Sequence, residues 1–164
     1  MCLCLSGALF SCQPASAPVP GAKEAPVTIR LTDYGHSAAD AKQYLLSRDS
    51  LFVYEVSALR GQAAALLYRR AFPSADWFPH VSPTALLSLK NRYQNSCVVD
   101  GSLLMVSVQQ HRSTKTIQLQ NAYQEPVGQL IRHLNTALPP ELQIWYNKEE
   151  LLRGQEQCEA ALAP

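Results

Sequence analysis

The chain has 164 residues, 47% hydrophobic and 16% charged, a length that suits one domain able to bury a sizeable core. Fourteen Lys and Arg against thirteen Asp and Glu leave a formal charge of +1. That balance supplies no basic field for nucleic acid and no acidic tail, and no run approaches the roughly 18 apolar residues a membrane-spanning helix needs.

Residues 1–22 contain no charged side chain, and residues 3–12 are mostly apolar and small. Residues 13–26, QPASAPVPGAKEAP, hold five prolines or glycines and only Val19 as a larger apolar residue. Proline resists both helix and sheet, so this stretch reads as an extended linker. An apolar segment set apart from the rest by a spacer has the layout of an export signal. Leu9-Phe10-Ser11-Cys12 resembles the lipobox of bacterial lipoproteins, in which a leucine stands three residues before the cysteine and a small residue one before it. Phe10 is larger than the residue usual at its position, and no Lys or Arg precedes the apolar run. The resemblance implies a signal over 1–12, an acylated Cys12, and a linker over 13–26 that holds a single domain (27–160) off a membrane. Buried acyl chains, at roughly 0.8 kcal/mol per CH₂, make such an anchor durable. Two other readings stay open: plain secretion with a cut after Ala17, which Pro18 would hinder, and a cytoplasmic chain. The layout is also similar to that of uncharacterised exported proteins of bacteria with an outer membrane.

Beyond the linker, Val27, Ile29 and Leu31 alternate with Thr28, Arg30 and Thr32, the pattern of a half-buried strand. Residues 41–57 read as a hairpin around the polar SRDS, although Ser37 would also cap a short helix over AADAKQYLL. Residues 61–72 are alanine-rich but follow a Leu-Arg-Gly turn, and read as a third meander strand. Ser82 with Pro83 marks a helix start, with Leu86, Leu89, Lys90 and Tyr93 on one face. Residues 98–121 give strand, polar turn near 110–114, and strand. Val127, Leu130, Ile131, Leu134 and Leu138 follow helical spacing until Pro139-Pro140 stop it. LQIWY reads as a short strand or extended segment packed into the core, and residues 147–162 as a terminal helix capped by Asn147. The expected fold is α+β: an antiparallel sheet with two to three helices packed on it.

No GxGxxG, GxxxxGK[ST], HExxH, CxxC or GxSxG pattern occurs, so the sequence points to no catalytic residue, no metal and no cofactor. Cys2 and Cys4 fall inside the presumed signal. His36 stands in TDYGHS beside Asp33 and Tyr34, where a ligand or metal would fit, though Asp and Gly more often set a turn. His133 follows Ile131 and Arg132, points away from the apolar stripe of its helix and reads as a solvated surface residue. Trp77 and Phe78, in the proline-rich loop 72–83, are the candidate partner-binding aromatics, with core packing as the alternative. Cys97 and Cys158 remain as an even pair, expected to form a disulfide in an oxidising compartment, the alternative being two free thiols. These features favour a non-catalytic cell-envelope lipoprotein, disulfide-bonded, membrane-anchored and facing the periplasm or cell surface. A periplasmic immunity-type or other module binding an unknown protein partner is the alternative. A hydrolase using His36 or His80 is a third reading, and nucleic acid is not an expected partner.

Overall fold

A computed structural model describes residues 27–35, 40–57, 65–98 and 101–162. The lipobox-like segment with Cys12, the stretch 13–26 expected to be a linker, and His36 lie outside the described residues. The fold is α+β, as its pattern of elements predicts. Among the described residues seven strands form one sheet: β1 (Val27–Asp33), β2 (Asp40–Leu46), β3 (Ser50–Ser57), β4 (Ala65–Ala71), β5 (Arg92–Gln94), β6 (Leu103–Gln110) and β7 (Ser113–Gln120). Their order is β4-β3-β2-β1-β6-β7-β5. All neighbours are antiparallel except β5, which lies parallel to β7. The helices are α1 (Ser74–Trp77), α2 (Pro83–Ser88), α3 (Glu125–Ala137) and α4 (Lys148–Leu162).

Strand alternation decides which face is covered. Val27, Ile29 and Leu31 are buried, and register places Ile29 beside Val108 and Leu46, and Leu31 beside Val106 and Tyr44. Leu51 and Val53 extend this surface on β3, Ile117 and Leu119 on β7. Val127, Leu130, Ile131 and Leu134 of α3 belong to the same core cluster, so the apolar stripe read from the sequence is the face that meets the sheet. On the opposite face Ser107 and Thr116 share a hydroxyl hydrogen bond of 2.9 Å across β6 and β7. There Phe52 and Tyr54 stack at 6.2 Å, with the Arg69 guanidinium 5.3 Å over the Phe52 ring.

Polar side chains satisfy the helix ends. Ser82 Oγ accepts from the Ala85 N–H at the start of α2. The Lys115 ammonium donates to the Leu87 and Leu89 carbonyls at its end. Arg70 and the Tyr68 hydroxyl both donate to the Ala137 carbonyl, so β4 supplies a cation and a hydroxyl to the C-terminus of α3. Asn147 Oδ1 accepts the Glu150 N–H at the start of α4, the cap its sequence predicts.

Two segments depart from their local pattern. The helix begun at Pro83 stops at Ser88 instead of running on through Tyr93. Leu89 turns extended, and residues 92–94 pair with β7 as β5. Tyr93, expected on a helical face beside Leu86, is therefore a strand residue, and its hydroxyl accepts the Lys90 N–H at 2.8 Å. LQIWY forms no strand. Asn135 of α3 exchanges two 2.9 Å hydrogen bonds with the Ile144 backbone. The Tyr146 hydroxyl accepts from the Gln124 N–H and donates to the Ala122 carbonyl. Side chains thus take the backbone groups that a sheet would otherwise pair. Within this segment Ile144 is buried and Tyr146 half-buried, but Trp145 is half exposed, contrary to the core role expected for it.

Candidate functional site

The proline-rich loop after β4 gathers the aromatic and imidazole side chains. Arg48 and Asp49 carbonyls accept N–H groups from Ser74 and Phe72, so the β2–β3 turn holds the start of this loop. Trp77, on the single turn of α1, is fully buried and stacks on half-buried Phe78 with ring centroids 4.2 Å apart. Trp77 therefore offers a partner no surface in this arrangement, and it plugs the end of the core. Phe72 is also buried and stacks on His133 of α3 at 5.3 Å.

His133 departs from its expected place on a solvated surface. It is sandwiched between Phe72 and His80, the latter stacked at 4.8 Å. Its Nε2 is buried and has no hydrogen-bond partner among the described residues. Burial, and then the neighbouring His80, hold the His133 pKa below the ordinary imidazole value, while a hydrogen bond to the Asp76 backbone partly opposes this. The two imidazoles line an open cavity of about 470 Å³ together with Pro79, Gln129, Arg132 and Thr136. Thr136, which lines the same cavity, donates its hydroxyl to the His133 backbone carbonyl at 2.7 Å and not to an imidazole. The arrangement can exchange protons and can present an edge of α3 to a ligand.

Beside it, Glu125 binds Arg132 at 2.7 Å, Lys148 at 2.8 Å and the Tyr123 hydroxyl at 3.1 Å. Hydrogen bonds from Lys148, Arg132 and Tyr123, in that order, lower the Glu125 pKa to about 2. This exposed network ties the start of α3 to the start of α4. It also engages Arg132, which limits that guanidinium as an anion ligand in the imidazole cavity.

Cys97 and Cys158 form a disulfide with Cα atoms 5.5 Å apart, as the even pair of cysteines suggested. The bridge joins the loop after β5 to α4 across 61 residues. At the turn after β1, Asp33 Oδ1 accepts the Gly35 N–H at 2.8 Å, and Gly35 has φ +52°. Asp33 and Gly35 thus shape a turn, the plainer of the two roles open to TDYGHS. Among the described residues no group of three or more His, Cys, Asp or Glu side chains is placed to hold a metal ion. In comparisons with family models, with curated proteins and with solved structures, nothing matches this chain.

Proposed function

We propose that the chain is a cell-envelope lipoprotein: an oxidised α+β domain tethered through Cys12 and the 13–26 linker, and acting by binding instead of catalysis. The observation that carries this reading is the Cys97–Cys158 disulfide. It uses both cysteines outside the lipobox segment, and such bonds persist in oxidising compartments and are rare in the cytosol. The lipobox-like Leu9-Phe10-Ser11-Cys12 and the proline-rich spacer support export from an independent part of the chain. A second reading, a protein-binding module of immunity type, is favoured by β4. Among the described residues this strand ends the sheet, and it carries Leu66 and Leu67 at 55% and 44% exposure. A free strand edge flanked by exposed leucines is the usual template for strand addition by another chain.

The anchoring test uses cells fed a palmitate analogue. The wild-type chain takes up label and sediments with membranes, and Cys12→Ala does neither. Equal labelling of the two forms rules the lipoprotein out.

A further inference from the structure

The turn after β5 holds Cys97 at the surface. The Val98 N–H reaches the Asn95 carbonyl at 3.4 Å and closes a turn over residues 95–98. Asn95, 4% exposed, anchors that turn: its N–H donates to the Gln120 carbonyl at 3.0 Å, and its Oδ1 accepts the Cys97 N–H at 3.1 Å. Cys97 is left exposed, whereas Cys158, its partner on α4, is 7% exposed. Access decides which sulfur of a disulfide a thiolate attacks, and here it favours Cys97. Ser96 completes the arrangement. Its hydroxyl lies 3.8 Å from Cys158 Sγ, and because a disulfide sulfur carries no hydrogen, the hydroxyl is the donor. Attack at Cys97 makes Cys158 the leaving group. The Ser96 donor then stands beside the sulfur on which negative charge develops. The Glu159 carboxylate lines the same small hollow as Ser96 and Cys158 and opposes that charge.

The bridge also governs how the end of α4 is held. Leu151 is buried in the first turn of this helix, which the Asn147 cap and the Lys148–Glu125 ion pair hold as well. From residue 152 to 161, Cys158 is the one buried residue among those described. Gln155 Oε1 accepts the Tyr123 N–H at 3.0 Å. Without the bridge the last two turns lose their covalent hold, and a short helical end that buries little frays. We propose that Cys97 is a thiol-exchange site whose opening releases the end of α4. An incoming thiolate bonds to Cys97 Sγ, the Cys97–Cys158 bond breaks, and its electron pair leaves on Cys158 as a thiolate. A second thiolate attacks the incoming group's sulfur and expels Cys97. Two thiols thus become one disulfide, and their two electrons and two protons convert the bridge to two thiols. The co-reactant is a thiol, small or protein-borne, and the reverse sequence closes the bridge again. The site depends on the bond alone, and not on the lipid anchor or the place of the protein in the cell.

The test starts from the purified, oxidised full chain, treated under native conditions with millimolar reduced glutathione or, in a parallel arm, with reduced thioredoxin as a protein dithiol. The reaction is quenched with acid, free thiols are alkylated, and the adducts are mapped by mass spectrometry. The site predicts mixed disulfides on Cys97 with Cys158 as the alkylated thiol, and the faster of the two donors identifies the source of the thiol. Ser96→Ala, an exposed position, should slow opening by about two- to tenfold, the worth of one hydrogen bond. Glu159→Gln should speed it at low ionic strength. Hydrogen exchange of the reduced chain should lose protection at least about tenfold over residues 155–162 and keep it in the sheet. Adducts chiefly on Cys158, no opening of the folded chain by either donor, or an unchanged rate in Ser96→Ala overturns the assignment. So does a loss of protection that spares α4 or spreads through the sheet.

Discussion

His133 shows how a single side chain can couple packing to pH. Its ring is pressed between Phe72 and His80, and its pKa lies below the ordinary value because burial and the second imidazole both disfavour its charge. An imidazole in the unfolded chain titrates near about 6.5. As pH falls, the unfolded chain therefore takes up this proton first, and the native state loses stability below that pH until folded His133 protonates as well. Above about pH 7 the group contributes no pH dependence. Urea midpoints should fall between about pH 8 and pH 5, and part of that fall should vanish in His133→Gln. An unchanged pH profile in the variant would remove His133 from the account. The sequence hid this role: its spacing correctly puts His133 off the apolar stripe of α3, but the loop that arrives over it comes from more than fifty residues earlier. Trp145 was hidden in the opposite sense. It stands between Ile144 and Tyr146, which do pack inward, and nothing in the string marks the middle residue as the one turned out.

At the scale of the element, α3 is the part of the fold whose loss would be felt most directly. Leu130 and Leu134 are almost fully buried against the sheet, in one cluster with Val106, Val108, Ile117 and Leu119. Leu134→Ala should cost about 2–5 kcal/mol in denaturant unfolding with an unchanged m-value. A loss below about 1 kcal/mol would mean that the helix does not seal this face. This helix was legible because its apolar residues recur at helical spacing and two prolines end it. The β1 alternation, the β2–β3 hairpin and the β6–β7 hairpin were legible for the same local reason. The stretch after Ser88 was not, because what makes residues 92–94 a strand is β7, more than twenty residues further on. Likewise Asn135 and Tyr146, not strand neighbours, determine the path of residues 142–146.

Across the whole molecule, the class of fold followed from short turns between adjacent strands, but the strand order did not. β1 lies at the centre, between β2 and β6, only because β6 and β7 return past three earlier strands. The Cys97–Cys158 bridge ties α4 to the loop after β5, beside the Lys148–Glu125 ion pair and the Gln155 side chain that accepts the Tyr123 N–H. Closing a loop of 61 residues stabilises the native state by about 4 kcal/mol on the chain-entropy account. The same bridge supports the proposed envelope location. The most direct test is therefore the redox state of the chain recovered from its native cells, with thiols trapped by alkylation at lysis, before denaturation. The account predicts unalkylated Cys97 and Cys158, and a linked pair of their peptides by mass spectrometry under non-reducing conditions. Alkylation of both cysteines as free thiols would contradict the oxidised, exported domain.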